Sequence, residues 1–198
     1  KNITILERCI NLIQEFGIKK ILINTYHLEN QIIEFIKEKK FSIEIQIIKD
    51  GEKILDTGGG ILNLINHSKQ NDFLVFNPDT LWNESYITEI KNMKKFYFEN
   101  NLKNILLVVE KSKSFDQRMN GDFFLKNNIL NTSFDKNFIF TGCQILNKSI
   151  FENYKVETFS MNKIWHEMIS KNQLYGHQSI GKFTHLTDIE IYKKLTKI

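Results

Sequence analysis

Cysteine, proline and long apolar runs are scarce in this chain of 198 residues, which has two cysteines and one proline. Cys9 and Cys143 are far apart and match no zinc-binding spacing, so we expect both to be buried in a reducing compartment. No apolar stretch reaches the roughly 18 residues of a membrane-spanning helix, and no signal peptide is recognisable. These absences argue against a membrane protein and a disulfide scaffold, and they predict a cytoplasmic location.

A strong charge of either sign is also absent. The net charge of +4 comes from lysines scattered along the chain, many of them near glutamates or on predicted helix faces. A nucleic-acid-binding protein would cluster its basic residues on one face, so we expect neither a nucleic-acid nor a membrane partner. The composition, 41% hydrophobic and 25% charged, is typical of a globular protein, and the length suits one domain spanning residues 1–198.

Helical periodicities and short apolar runs alternate along the chain as far as Glu110. The order predicts a doubly wound, mostly parallel α/β sheet. Beyond Glu110 the pattern is irregular, with a hairpin predicted at Asn127-Asn128 and two short strands flanking Gly176 and Gly181. The runs that predict the first four strands are Lys20–Asn24, Phe41–Lys49, Phe73–Asn77 and Ile105–Glu110.

The first predicted element is a helix that starts at a capping box of Thr4 and Glu7. Doubly wound folds instead begin with a central strand, followed by a loop that grips phosphates. Without such a strand, Ile21–Ile23 and Phe73–Phe76 would border a slot with unpaired backbone groups, which a folded protein tolerates poorly. We therefore expect residues upstream of Lys1, or another segment, to fill this slot.

The predicted strand Phe73–Asn77 ends at Asn77-Pro78-Asp79, a polar turn with one carboxylate. Ligands of open α/β sheets bind beyond the carboxyl ends of such strands, which makes Asp79 a candidate site residue. The alternative is that Asn-Pro-Asp only forms a turn, since each of these residues favours one.

A second candidate motif is Asp56-Thr57-Gly58-Gly59-Gly60, predicted as a loop before a helix. Three glycines let the backbone approach a ligand and direct amide hydrogens at it, and the helix N-terminus adds partial positive charge. Such a loop could hold a nucleobase, a ribose or a phosphate. The alternative is a flexible turn in which Thr57 caps the helix.

Together these motifs resemble those of the sugar-1-phosphate nucleotidyltransferases. The similarity is greatest to the branch of N-acetylmuramate-1-phosphate uridylyltransferase and mannose-1-phosphate guanylyltransferase-like proteins, and it extends from about Thr4 to Leu195. The matching segments, in the order of the family, are Leu22–Ile32, Leu55–Ile61, Phe73–Asp79, Gly121–Phe123 and Phe140–Gly142.

The resemblance implies a Rossmann-like domain of the nucleotide-diphospho-sugar transferase type. Its reaction would join an NTP, with UTP or GTP expected, to a sugar-1-phosphate and release pyrophosphate. The family's magnesium-binding aspartate aligns with Asp79, which makes Mg²⁺ the expected cofactor. On the nucleotide side the resemblance implies Gly51, Glu52, Asp56, Thr57, Gly58 and Gly59, and on the sugar side Asn77, Glu110, Asp122 and Gly142.

The chain departs from the family pattern in two places. The N-terminal glycine-rich phosphate loop and its lysine would lie before Lys1. The second metal-binding aspartate of the family aligns with His185, and imidazole suits zinc or other transition metals better than magnesium. Asp188 could replace that aspartate if the backbone shifted, although the first turn of a helix capped by Thr187 and Glu190 gives Asp188 a structural role.

Two functions remain open from the sequence. One is an active nucleotidyltransferase, and the other is a catalytically impaired domain that binds a nucleotide or sugar phosphate in a regulatory or structural role. The coding sequence upstream of Lys1 discriminates between them, because only the enzyme requires a strand followed by a glycine-rich loop there.

Overall fold

The computed structural model describes residues 3–132 and 135–196, in which helices and strands alternate up to Glu110. The helices are α1 (Ile5–Gln14), α2 (Glu29–Lys39), α3 (Asp56–Ile65), α4 (Ser85–Glu99), α5 (Met161–Ser170) and α6 (Ile189–Thr196). The strands are β1 (Lys20–Thr25), β2 (Glu44–Lys49), β3 (Asp72–Phe76), β4 (Asn104–Glu110), β5 (Phe124–Lys126), β6 (Ile129–Asn131), β7 (Phe138–Asn147) and β8 (Tyr175–Ser179).

The strands form two sheets. β1 and β2 pair in parallel, and the other six lie in the order β3-β7-β4-β8-β6-β5. β7 runs antiparallel to both β3 and β4, whereas β8 runs parallel to β4. The carboxyl ends of β3 and β4 therefore meet at the same edge. The predicted α/β class is confirmed, with antiparallel pairs in the second half of the chain, and the hairpin is confirmed by the positive φ of both Asn127 and Asn128.

The core lies on both faces of β4. Ile105 to Val109 are fully buried, as a central strand covered on both sides requires. One cluster packs α1 and α4 against the sheet, and a second packs α3 and α5 against its other face. Cys9 and Cys143 both belong to the first cluster and are buried and unpaired, as predicted. Burial raises the pKa of Cys9 to about 12, so this thiol stays protonated.

A slot separates the two sheets between β1 and β3. Asp50 N donates to Thr25 O, so Thr25 faces β2, and by alternation the backbone groups of Leu22 and Asn24 face the slot. Asn77 N donates to Gly142 O, which in the same way turns the backbone of Leu74 and Phe76 towards the slot. No strand of the described residues pairs with these two edges.

The apolar side chains that border this slot are only half buried, in contrast to those of β4. They nevertheless belong to one cluster with the apolar face of α1, so the two sheets share a core. The side chains are Ile21 and Ile23 of β1 and Leu74 and Phe76 of β3. The two strands predicted to border a gap, β1 and β3, are therefore edges of two different sheets. The presence of a further segment between them stays a prediction.

The structure corrects two details of the predicted C-terminal region. Gly181 lies in a turn followed by single bridges and not beside a second strand. The N-cap of α6 is Asp188 and not Thr187, because Asp188 Oδ1 accepts a hydrogen bond of 2.9 Å from Ile191 N. Among residues 3–132 and 135–196, no helix combines the length and the apolar character of a membrane span.

Candidate active site

The turn that follows β3 is fixed by three hydrogen bonds, two of which join it to β7. Asn77 N donates to Gly142 O at 2.7 Å, and Thr80 Oγ1 donates to Thr141 O at 2.7 Å. The indole of Trp82 donates to Asn77 O at 2.8 Å. Gly142 has a φ of +90°, and a β-carbon there would lie 2.9 Å from Asn77 Cβ, so only glycine lets β7 approach this turn. The turn is therefore a rigid support for Asp79.

A return segment before α6 lies against the same turn. Leu81 N donates to Thr184 O at 2.9 Å, and Leu186 N donates to Asp79 O at 2.8 Å. These bonds accompany an antiparallel bridge between Thr80 and His185. His185 Nε2 consequently lies 3.3 Å from Asp79 Oδ2. The resemblance aligned His185 with a metal-binding position of the family. In the structure the ring of His185 lies directly beside Asp79.

The second oxygen of the Asp79 carboxylate, Oδ1, is buried and has no hydrogen-bond partner among the described residues. The side chain as a whole is half exposed, so the carboxylate can be reached from outside. A divalent cation would satisfy this oxygen, and Asp79 and His185 are the side chains that would hold it. No group of three or more His, Cys, Asp or Glu residues in the described chain could enclose a metal ion. Further ligands would therefore be substrate phosphate or water oxygens.

Asp188 is not brought to this pair. Its Oδ1 caps α6, and its Oδ2 accepts a hydrogen bond of 2.8 Å from Arg118 Nη2. Both interactions favour the charged form and lower the pKa of Asp188. Its carboxylate is thus already used by the helix and by the guanidinium.

Arg118 is one of only two arginines in the chain, and the sequence analysis did not single it out. Its Nε and Nη2 atoms each donate to the carboxylate of Asp116 at 2.8 Å, while Nη1 reaches Glu190 at 3.1 Å. Asp116 is buried, and the guanidinium holds the pKa of this carboxyl well below its usual range. The network joins the segment after β4 to the start of α6. The only feature of the sequence that could have drawn attention to Arg118 is the rarity of arginine in this chain.

A pocket of about 450 Å³ opens beside His185. Its walls come from α3, α5, β7, the segment before β5 and the turn after β3. Phe140 and Trp165 form an aromatic wall, with ring centroids 5.0 Å apart in an edge-to-face arrangement. Six residues expected from the sequence line this one pocket: Asp56, Thr57, Asn77, Asp122, Gly142 and His185.

A larger groove of about 670 Å³ lies near the amino ends of β3 and β4. Lys103, Asn71 and Asn147 are among its lining residues, and none of the predicted site residues reaches it. The pocket beside His185 is the better candidate, because it lies at the carboxyl ends of the parallel strands and several polar groups converge on it.

The three glycines do not form the expected loop, since α3 begins before them, at Asp56. Gly58 N and Gly59 N both donate to Phe159 O, at 2.9 and 3.1 Å. A β-carbon at Gly59 would overlap the carbonyl oxygen of Glu157, so these glycines let α3 pack closely against this segment. Their amides bind protein rather than facing the pocket. Thr57 does not cap the helix through its own side chain, because its Oγ1 accepts a hydrogen bond of 2.9 Å from Met161 N.

Comparison with known proteins gives structural matches only. No protein-family model and no curated protein matches the chain. HddC from Yersinia pseudotuberculosis, complexed with GMP-PN, superposes with a TM-score of 0.72 at 22% identity, over 99% of this chain and 87% of that one. The inositol-1-phosphate CTP transferase from T. maritima gives 0.72 at 12%, over 98% and 82%. UDP-glucose pyrophosphorylase complexed with UDP-glucose gives 0.73 at 15%, over 98% and 85%.

The fold is that of the nucleotide-diphospho-sugar transferases. Within this transferase fold, the residues predicted for the site fall into two groups. One group lines the pocket, and its member His185 contacts Asp79. The other group lies outside the pocket lining. Gly51 and Glu52 are exposed in the turn after β2, and Glu110 accepts a hydrogen bond of 3.0 Å from Gln178 Nε2.

Asp122 has a defined position in the lining of the pocket. Its Oδ2 accepts a hydrogen bond of 2.9 Å from Phe140 N. Partial removal from water raises the pKa of Asp122, an effect that the Phe140 amide and Lys136 oppose. The carboxylate thus lies beside Phe140 in the pocket lining, where it can accept hydrogen bonds from hydroxyl groups of a ligand.

Proposed function

We propose that the protein transfers a nucleoside monophosphate from an NTP to a sugar-1-phosphate. An oxygen of the sugar phosphate attacks the α-phosphorus in line, and the bond from that phosphorus to the β-phosphate oxygen breaks, so pyrophosphate leaves. Such a reaction needs no protein nucleophile and depends on positioning and charge neutralisation. The observation that carries the proposal is the Asp79–His185 pair, 3.3 Å apart beside a pocket lined by the predicted residues.

The resemblance assigns Asp56 and Thr57, at the start of α3, to the nucleotide, and Asn77, Asp122 and Gly142 to the sugar. That all five line one pocket supports this division. UTP or GTP is the proposed nucleotide, as in the uridylyl- and guanylyltransferase branch. The solved complexes of HddC with GMP-PN and of UDP-glucose pyrophosphorylase with UDP-glucose support ligands of these two kinds. We assign the reaction to the cytoplasm, where NTPs are available.

A divalent cation, with Mg²⁺ as the ion expected from the sequence, would be held by Asp79 and His185. When bound, it would neutralise negative charge on the phosphates. The protein's own contribution is to hold Asp79 rigidly through the bonds of Asn77, Thr80 and Leu186.

The second candidate function is ligand binding without turnover. It is favoured by the engagement of the Gly58 and Gly59 amides with Phe159. In the described residues no glycine-rich loop remains to cradle a triphosphate. Such a domain would bind a nucleotide or sugar phosphate and act through its partners.

The deciding experiment incubates the full-length protein with Mg²⁺, each NTP in turn and a panel of sugar-1-phosphates, and follows pyrophosphate release. Release with one nucleotide and one sugar supports the transferase. Calorimetric binding of a nucleotide without release for any pair supports the binding domain instead.

A further inference from the structure

The pair that would hold the cation contains one carboxylate and one imidazole. Asp79 Oδ2 and His185 Nε2 are 3.3 Å apart, about the separation of two neighbouring ligands around one metal ion. Asp79 Oδ1 is buried without a partner among the described residues, so a second oxygen of the same carboxylate is free to bind. The inference below deepens the proposed function and relies on its site.

The imidazole is held in place by the backbone as well as by its own contacts. His185 forms a bridge with Thr80, whose hydroxyl is bound to Thr141 O. On the other side of the ring, His185 Nδ1 lies 3.3 Å from Thr187 Oγ1. These contacts orient Nε2 towards Asp79, which is how a metal-binding histidine is commonly oriented by its other nitrogen.

Within the described part of the chain, no second carboxylate joins Asp79 in a cluster that could replace the imidazole. Asp188 is the nearest candidate in the sequence. One of its carboxylate oxygens accepts a hydrogen bond from the N-terminus of α6, and the other accepts one from Arg118. Moving Asp188 to the site would uncap the helix and break the network around the buried Asp116. The nitrogen ligand is therefore built into the site.

Mg²⁺ is a hard ion that prefers oxygen ligands, whereas imidazole suits the first-row transition metals. We propose that this site selects first-row transition-metal dications over Mg²⁺, and that His185 Nε2 is the ligand that sets the preference. Mn²⁺ stands at the weak end of this series and also accepts oxygen ligands, so it should show the smallest preference and is the most stringent probe. Asp79 supplies the charge that any divalent cation requires. The histidine supplies the discrimination between ions.

The test uses Mn²⁺ and pyrophosphate as probes, because neither contains nitrogen, with the full-length protein. Electron spin echo envelope modulation of bound Mn²⁺ should show ¹⁴N modulation from a coordinated imidazole. The modulation should disappear in His185→Asp and persist in His67→Asp, which alters an exposed histidine that contacts Asn63 O on α3. Asp79→Asn should abolish Mn²⁺ binding.

A competition titration measures the preference itself. Displacing half of the bound Mn²⁺ should require about tenfold more Mg²⁺ in the wild type than in His185→Asp, the size of effect expected when a metal's ligand environment changes. Equal Mg²⁺ requirements in the two proteins would overturn the proposal. So would the absence of ¹⁴N modulation, or of Mn²⁺ binding, in the wild type.

A measurement without a substitution guards against a misfolded variant. Wild-type protein labelled with ¹⁵N-histidine should lose the ¹⁴N modulation while binding Mn²⁺ unchanged, and retained modulation would exclude an imidazole ligand. Neither spectrum requires turnover. Failure of pyrophosphate release with intact Mn²⁺–imidazole coordination would therefore contradict the transferase proposal and leave the metal assignment supported.

Discussion

The indole Nε1 of Trp82 donates a hydrogen bond of 2.8 Å to the carbonyl of Asn77, the residue that ends β3 and begins the turn of Asp79. Trp82 is almost fully buried, and its ring meets Phe76 and Tyr86 edge-to-face, each with centroids 4.9 Å apart. The ring thus belongs to the apolar core. The structure shows that it also fixes the backbone beneath the candidate metal ligand.

Replacing Trp82 by Phe keeps most of the apolar contact and removes the donor. The Asn77 carbonyl then loses a partner in a partly buried position, so we expect unfolding to become easier by about 1–3 kcal/mol. Urea denaturation of both proteins measures the difference. Trp165→Phe is the matched control, because it removes the same ring atoms from a buried position. The Trp165 Nε1 has no hydrogen-bond partner among residues 3–132 and 135–196, so the control loses packing but no hydrogen bond. Equal losses in the two variants would show that the hydrogen bond is unimportant.

Gly59→Ala tests the packing of α3. Alanine normally stabilises a helix interior relative to glycine by about 1 kcal/mol. Here its β-carbon would overlap Glu157 O, so we expect destabilisation by about 1–3 kcal/mol as α3 moves away from that segment. Gly181→Ala, where a β-carbon would have only ordinary contacts of 3.8 Å, should stay within about 0.5 kcal/mol. Thermal unfolding distinguishes the two, and a stabilised Gly59→Ala would contradict the described packing.

Arg118→Met tests the network around Asp116 through its pH dependence. The folded-state pKa of Asp116 lies below its unfolded value of about 3.9, so its contribution to stability is present above that pH and is lost as the pH falls through the folded pKa. We expect the difference in unfolding free energy between wild type and variant to be largest near neutral pH and to shrink below about pH 4.

Denaturant titrations at several pH values measure this difference. Arg8→Met provides the control, since Arg8 is the other arginine of the chain and is exposed. A difference that does not change with pH would show that Arg118 acts through packing and not through the charge of Asp116.

Asp79→Asn should abolish turnover, because it removes the charge that a cation requires. The fold should be preserved, because asparagine keeps the shape of the side chain. Losing one electrostatic interaction of this kind lowers turnover by about 10²–10³-fold or more. Pyrophosphate release measures the activity, and circular dichroism verifies the fold. Undiminished release would mean that the cation binds elsewhere.

Amide exchange tests the predicted strand in the slot. In a polypeptide of residues 1–198, the amides of Leu22 and Phe76 should exchange quickly, while those within β4 are protected. If residues encoded upstream of Lys1 supply the strand, the longer chain should protect the slot amides as well. Protection in the shorter polypeptide would mean that the two sheet edges close without it.

The sequence predicted the strands and helices best where one local signal dominates. The apolar run of β4 and the Asn127-Asn128 turn are local patterns that tertiary contacts only reinforce. At Thr4 the predicted capping box is half formed: Glu7 N binds Thr4 Oγ1 at 3.1 Å, but the Glu7 carboxylate binds Lys39 at 2.8 Å instead of returning to the cap.

The expectations that failed depended on distant parts of the chain. The glycine run was predicted to be a ligand-binding loop. Two of its amides instead donate to the carbonyl of Phe159, about 100 residues later, and no local pattern signals this contact. The cap of α6 moved to Asp188 because Arg118, from the segment after β4, holds that side chain. The proximity of His185 to Asp79 could be predicted only through the family register, since no local pattern links the two.

The two sheet edges that face each other across the slot also affect how the polypeptide behaves in solution. The backbone groups of Leu22 and Asn24 in β1 and of Leu74 and Phe76 in β3 turn towards the slot, where no strand of the described residues pairs with them. An unpaired edge of this kind is a template for pairing with another chain. A preparation of residues 1–198 alone should therefore self-associate as its concentration rises, and size-exclusion chromatography would reveal it. Association of this kind would join two molecules through their unpaired sheet edges.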